Sequence, residues 1–86
     1  MIIVPSKYYN KLFRKLDAKK QTKATNAIKL FMTKPEASKL RLHQLKGNYY
    51  PQYSISAGGD LRIHFHRVSD DKIILMAVGT HSQLYK

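Results

Sequence analysis

The chain has 86 residues, with 16 lysines and arginines against only five aspartates and glutamates, and it contains no cysteine. This length suits one domain, which we place at residues 1–86, and the lack of cysteine excludes disulfides, thiolate metal sites and a cysteine nucleophile. A formal net charge of +11 attracts polyanions such as nucleic acid, a ribosome or an acidic protein. The lack of cysteine also fits a reducing cytoplasm, where we expect the protein to be located. No segment reaches the roughly 18 continuous apolar residues of a membrane span, and we expect no membrane partner.

The first half of the chain predicts a short strand followed by two helices. Ile2-Ile3-Val4 is apolar and is followed by a proline, which ends the strand. Ser6 is a good N-cap for a helix over residues 7 to about 16, and Asp17 can cap a second helix that runs to about residue 33. Because apolar residues recur at helical spacing in both segments, the helices should form an antiparallel hairpin with one buried face.

The second half predicts strands. Residues 35–47 suggest an extended or turn-rich segment. Residues 49–56 and 61–68 alternate apolar and polar side chains, as half-buried strands do, and Gly58-Gly59 between them predicts a hairpin turn. Residues 73–78 are apolar at every position, as expected of a central strand. The predicted fold class is therefore α+β: a short N-terminal strand, a helical hairpin and an antiparallel meander of three strands.

The predicted strand at 61–68 has two different faces. Its apolar side chains at 61, 63 and 65 should receive the helices, and the opposite face carries Arg62, His64 and His66. An arginine with two histidines is not an ordinary dry core, so we expect this face to be exposed and functional. Beyond the last strand, His81 and Tyr85 lie four residues apart, where a rigid strand could present them as part of a small active site.

Three motifs resemble the RelE/ParE superfamily of toxins from type II toxin–antitoxin systems. They are His43-Gln44-Leu45-Lys46-Gly47, Asp60-Leu61-Arg62-Ile63 and Val78-Gly79-Thr80-His81-Ser82-Gln83-Leu84-Tyr85. The order of elements is also similar, so the resemblance covers nearly the whole chain. It is greatest to the YafQ and RelE/StbE-type messenger-RNA interferases.

The resemblance implies a RelE-like fold and a ribosome-dependent endoribonuclease. Such toxins cut messenger RNA in the decoding site by attack of the RNA 2′-hydroxyl, without a metal or another cofactor, and so inhibit translation. It also implies a cognate antitoxin, often acidic and partly disordered, as the protein partner. The basic charge of the chain suits RNA and such an antitoxin alike, because both are polyanionic.

The resemblance assigns roles to five side chains. His81 is expected to be the general acid, and Arg62 to stabilise the extra negative charge on phosphorus. His43 is a candidate base or phosphate ligand. Asp60 could orient a histidine or act as the base, although an aspartate after Gly-Gly is also ordinary turn chemistry. Tyr85 could stack on a base and bind a phosphate, or simply close the edge of the core.

Several assignments stay open at this point. Ser56 occupies the place of a second histidine in the YafQ pattern, so the general base is undecided, and His64 or His66 could replace it or contact RNA. Lys46 and Arg41 are expected phosphate contacts. The His64-Phe65-His66 pair is too small a ligand set to predict a metal site.

Two other functions remain as alternatives. A ParE-like toxin that poisons DNA gyrase shares this fold but generally lacks the acid–base set, and a basic RNA-binding module would bind RNA without cutting it. The aromatic residues Tyr8, Tyr9 and Phe13 are interpreted as core rather than as base-stacking platforms.

Overall fold

The computed structural model describes residues 1–85. Within this range the elements are β1 (Ile2–Pro5), α1 (Lys7–Lys15), α2 (Ala18–Thr33), β2 (His43–Gln44), β3 (Tyr53–Ser56), β4 (Leu61–Ser69), β5 (Lys72–Thr80) and α3 (His81–Leu84). Single 3₁₀ turns at Ser38–Leu40 and Gly47–Tyr49 flank β2. None of the helices in this part of the chain is both long and apolar enough to cross a bilayer.

The strands form one mixed sheet in the order β1-β5-β4-β3-β2. The antiparallel meander of β3, β4 and β5 confirms the predicted α+β class. β1 pairs in parallel with β5 at one edge of the meander, with Ile3 opposite Ile73. β2 pairs with β3 at the other edge. A parallel neighbour requires a long crossover, and α1 and α2 are part of the chain that makes it.

Both long helices begin at the predicted caps. The Ser6 hydroxyl accepts a hydrogen bond from the Tyr9 amide at 3.0 Å, and the Asp17 carboxylate accepts one from the Lys20 amide at 2.8 Å. Each cap satisfies one of the amide groups that a helix start leaves without an internal partner. The helices are therefore placed by short-range polar contacts that the sequence already displays.

The helices cover the sheet face that the sequence predicts for them. α1 packs on β5 and α2 on β4. The Phe31 ring of α2 meets Phe65 with centroids 5.1 Å apart, and Tyr53 stacks on Phe65 at 5.5 Å. The other buried strand side chains of this core are Ile55, Leu61, Ile63, Ile73, Leu75 and Val78. The opposite face of the sheet carries Arg62, and we call it the open face.

A bulge in β5 sets which side chains reach the open face. His64 lies opposite Ala77 and Phe65 opposite Leu75, so Met76 is an extra residue on the β5 side. The extra residue resets the alternation of the strand. Leu75 and Val78 can therefore both face the core although they are three residues apart, and Ala77 faces the open side.

Candidate functional site

Strand register arranges the open face in two neighbouring rows of side chains. The first row consists of Ser56, Arg62 and Gly79 on β3, β4 and β5. The second consists of His43, Ser54, His64 and Ala77 on β2 to β5. Side chains two residues apart on a strand are separated by about 7 Å, so polar groups of both rows can contact one substrate.

Arg62 is anchored at the hairpin turn by one nitrogen of its guanidinium. Nη1 donates to the Gly59 carbonyl at 2.8 Å, to the Leu61 carbonyl at 3.0 Å and to the Ser56 hydroxyl at 3.3 Å. The guanidinium has five donor hydrogens in a rigid fork. Within residues 1–85, Nε and Nη2 make no such bond, so that side of the fork is available to an anion. Ser56, which replaces an expected histidine, thus helps to hold Arg62.

The prediction of a wholly exposed polar face is wrong at His64. Its side chain retains only 2% of its accessible surface. Tyr49 and Tyr85 cover it, with ring centroids 5.7 Å and 5.2 Å from the imidazole, and Nε2 lies 3.0 Å from the Tyr85 hydroxyl. His64 therefore belongs to the support of the site and does not offer a free ring to RNA, whereas Arg62 and His66 are half-exposed.

Burial changes the acid–base behaviour of His64. Desolvation by burial, together with a smaller effect of the nearby His43, lowers the pKa of the imidazole from 6.5 to about 4. The folded protein therefore holds this ring neutral at pH values where the unfolded chain binds a proton. Between pH 6.5 and about 4 the unfolded state binds more protons, so stability is complete above this range and is lost as the pH falls through it.

We therefore expect the free energy of unfolding to drop by on the order of 3 kcal/mol between pH 7 and pH 4 through this group alone. Urea unfolding over this pH range measures it. The His64→Gln variant keeps a polar neutral side chain and should lose this part of the pH dependence. His66→Gln, on the same strand but half-exposed, should keep it, and equal pH profiles for His64→Gln and the wild type would rule the assignment out.

The segment after β5 is a helix that sequence reasoning missed. The Thr80 hydroxyl accepts from the Gln83 amide at 3.4 Å while the Gln83 side-chain oxygen accepts from the Thr80 amide at 2.8 Å. This reciprocal capping box is visible in the sequence as Thr80-x-x-Gln83. The His81 amide donates to the Asp60 carbonyl at 3.1 Å, which fixes the start of α3 against the hairpin turn.

Tyr85 connects the groups at the end of α3 to the open face. Its ring lies 4.5 Å from that of His81 and 5.2 Å from that of Tyr49, between centroids. The Tyr49 hydroxyl donates to the Leu84 carbonyl at 2.7 Å. Tyr49 therefore contacts both the Tyr85 ring and the backbone of α3. Burial raises the pKa of the Tyr85 phenol. The half-buried phenol therefore stays protonated and acts here as a donor or a stacking ring.

His43 lies at the sheet edge with a defined orientation. Its Nδ1 is 2.8 Å from the Arg41 carbonyl oxygen. Because a carbonyl only accepts, the neutral ring carries its proton on Nδ1 and leaves the Nε2 lone pair open. An exposed imidazole in this tautomer can take a proton from a substrate hydroxyl, and the left-handed backbone of Arg41 provides the carbonyl that selects it.

The other predicted residues stand farther from this arrangement. Asp60 is exposed in the hairpin turn and meets His81 only through its backbone, since no ion pair joins its carboxylate to a histidine in residues 1–85. Lys46 and Arg41 are exposed on either side of β2. The structure thus places His81 against Tyr85, and Tyr85 against His64, which is two residues from Arg62 on the open face. The Asp60 carboxylate has no recorded contact with these side chains within residues 1–85. No group of three or more potential metal ligands occurs in this part of the chain.

The fold defined by this sheet and its helices is that of the RelE/YafQ-type toxins. Neither a family model nor a curated protein sequence matches the chain. Among solved structures, a variant of Escherichia coli YafQ is 20% identical over 98% of this chain and 97% of its own, with a TM-score of 0.78. A copper-bound Helicobacter pylori toxin variant is 23% identical over 99% of both chains, with a TM-score of 0.74.

Two further solved structures extend this likeness. YafQ in complex with DinJ is 19% identical over 98% of this chain and 97% of its own, with a TM-score of 0.75. A YoeB/ParE toxin from Agrobacterium tumefaciens is 18% identical over 94% of this chain and 99% of its own, with a TM-score of 0.74. The chain is thus similar to these proteins over nearly its whole length, in architecture rather than in detailed sequence.

Proposed function

We propose that this protein is the toxin of a type II toxin–antitoxin system and a ribosome-dependent endoribonuclease that cuts messenger RNA. The proposal is carried by a chain of contacts on a RelE/YafQ-type fold: His81 lies against Tyr85, and Tyr85 covers His64. His64 is the next open-face residue after Arg62 on β4. The half-free guanidinium fork of Arg62, the exposed imidazole of His81 and the ring of Tyr85 can supply the charge, the proton and the stacking surface that RNA cleavage needs.

The cleavage proceeds by attack of the ribose 2′-oxygen on the adjacent phosphorus. A base removes the 2′-hydroxyl proton as the oxygen–phosphorus bond forms, and Arg62 hydrogen-bonds the phosphoryl oxygens on which charge accumulates. The bond from phosphorus to the 5′-oxygen breaks, and His81 protonates that oxygen. The products are a 2′,3′-cyclic phosphate and a free 5′-hydroxyl, and no metal or cofactor enters the step.

His43 is the base that the geometry favours. Its Nε2 is the open nitrogen of an exposed ring. His64 is excluded from this role because its ring is covered and its Nε2 lies against the Tyr85 hydroxyl. The Ser56 hydroxyl accepts a hydrogen bond from Arg62, and the Asp60 carboxylate forms no ion pair with a histidine within residues 1–85.

The partners follow from charge and from the solved relatives. The +11 formal charge suits ribosomal RNA and messenger RNA, which would place the protein in the cytoplasm. The same charge suits an acidic antitoxin, and a solved toxin–antitoxin complex of YafQ with DinJ supports an antitoxin as the partner. Co-expression of the cognate antitoxin should therefore relieve the growth arrest that the protein causes.

The test is primer extension on a reporter messenger RNA after brief induction of the protein. Discrete cuts should appear within the translated region, and the same transcript without its start codon should stay intact. A folded Arg62→Ala/His81→Ala double variant is the control and should give no cuts. Cuts in both transcripts would show that cleavage does not require translation by the ribosome.

The alternatives give different results in the same cells. Intact messenger RNA with growth arrest and gyrase-linked DNA breaks would assign a ParE-like activity. Intact messenger RNA with normal growth would leave an RNA-binding module without catalysis.

A further inference from the structure

Tyr8 is not a core residue, contrary to the sequence-based interpretation. It retains 58% of its accessible surface, whereas its neighbour Tyr9 retains only 4%. Tyr8 lies on the same stripe of α1 as Lys11 and Lys15, because positions three and seven residues apart share one helix face. The stripe thus combines an exposed aromatic ring with two cations, the pair of groups that single-stranded nucleic acid uses.

Two clefts meet at this stripe. The first, which we call the face cleft, measures about 310 Å³ and lies on the open face; its lining residues include Tyr49, Gln52, His64 and Ala77. The second, the helix cleft, measures about 350 Å³ and lies between α1 and α3; its lining residues include Lys11, Lys15, Leu12 and Leu16. Tyr8, Gln83 and Leu84 line both, so the two clefts adjoin at these side chains, and we call the pair the groove.

The face cleft offers groups that recognise a nucleobase. Tyr8 provides an exposed aromatic wall, and Gln52 and Gln83 provide side-chain amides that can donate and accept. The Gln83 oxygen already accepts from the Thr80 amide at 2.8 Å, which fixes the side chain and leaves its NH₂ group as the donor. A nucleobase fits this cleft because its flat face can stack on Tyr8 while its polar edge hydrogen-bonds the glutamine amides.

The helix cleft offers groups that bind phosphate. Lys11 and Lys15 are exposed, and neither forms an ion pair with a carboxylate within residues 1–85. Aromatic rings interleaved with lysines are the usual surface for single-stranded nucleic acid, in which bases stack and phosphates follow the cations. An acidic peptide would use the lysines, but the combination of an exposed ring, amides and cations matches the base and the phosphate of a nucleotide more closely.

We infer that this groove is a second binding region for single-stranded RNA, outside the point of cleavage. One unpaired base stacks on Tyr8 in the face cleft, and the neighbouring phosphates lie against Lys11 and Lys15. The inference rests on the proposed function for its choice of RNA. His64, which lines the face cleft, is two residues from Arg62 on the same face of β4. The groove would therefore bind the part of the RNA that lies next to the nucleotides held at the candidate catalytic residues.

The test is fluorescence anisotropy with a labelled single-stranded RNA of about ten nucleotides, titrated with the full chain at several salt concentrations. Tyr8→Ala should weaken binding roughly 5- to 100-fold, as expected for loss of one stacked base, and Tyr8→Phe should bind as the wild type does. The Lys11→Ala/Lys15→Ala variant should reduce the slope of log K against log salt by about 1.4, since two phosphate contacts are lost.

Matched controls separate this groove from general charge. Lys19→Ala/Lys20→Ala removes the same charge from the exposed start of α2 and should change the slope much less. Equal effects of the two lysine pairs, or unchanged binding by a folded Tyr8→Ala, would overturn the inference. Variants that bind RNA normally but lose binding of a labelled polyglutamate peptide would assign the groove to an acidic protein instead.

This binding assay does not depend on cleavage. A protein that binds through Tyr8 but never cuts messenger RNA would contradict the proposed function and leave the groove standing. If the protein cuts messenger RNA but Tyr8→Ala binds RNA as tightly as the wild type, the proposed function stands and the groove is contradicted.

Discussion

Replacing Arg62 by alanine should reduce messenger-RNA cleavage by at least about 100-fold, the usual cost of removing one preorganised donor from a developing negative charge. The guanidinium is held by Nη1 on the Gly59 carbonyl and the Ser56 hydroxyl, so the rest of the fork is fixed before substrate arrives. Arg62→Lys retains the charge but not the fork and should recover only part of the rate. The measurement is the rate at which a defined cut appears in a translation extract supplied with an excess of the protein.

Arg67 is the matched control for this prediction. It lies on the same strand but on the opposite side, with its guanidinium carbon 5.4 Å from the centre of the Tyr53 ring. Arg67→Ala removes the same charge and should leave the rate of cleavage within a few-fold of the wild type. If folded Arg62→Ala cuts as fast as Arg67→Ala, Arg62 has no place in the chemistry.

Much of the fold was predictable because its signals are local. Ser6 and Asp17 cap the helices as expected, since a capping side chain acts on an amide three residues away. The alternation of β4 correctly places Ile63 and Phe65 in the core. Hairpins joined by short turns pair neighbouring strands, so the meander follows from sequence order.

The features that were missed depend on distant parts of the chain. β1 pairs with β5 across roughly 70 residues, and nothing in either strand alone specifies that neighbour. The bulge at Met76 is hidden because every residue from 73 to 78 is apolar and gives no alternation to break. α3 was also missed, although its signal is local: Thr80 and Gln83 form a capping box that is visible in the sequence. The helix has only four residues.

The same distinction explains the site. Alternation correctly assigns His64 to the face of Arg62, but it cannot show that Tyr85, 21 residues later, covers the imidazole. It also cannot show that Ser56 supports Arg62, because that contact needs the register between β3 and β4. A sequence pattern therefore gives the face on which a side chain lies, whereas its exposure and partners depend on the packing of the whole domain.

Replacing His81 by alanine should also lower cleavage by about 100-fold or more, the range expected when a general acid is lost. His81 is exposed at the start of α3, and its ring touches Tyr85 at a centroid distance of 4.5 Å. Its removal should therefore spare the core and leave the fold intact. Ser82→Ala, at the next exposed position of α3, is the control and should cut normally.

A modified substrate distinguishes proton donation from simple binding by His81. A messenger RNA with sulfur in place of the 5′-oxygen at the cut has a leaving group that departs without protonation. On this substrate, His81→Ala should approach the wild-type rate, while Arg62→Ala should remain slow because the phosphorus still gains negative charge. An equal defect of His81→Ala on both substrates would make His81 a binding residue and would require another acid. Because Tyr85 joins His81 to the buried His64, Tyr85 would then be the next side chain to replace.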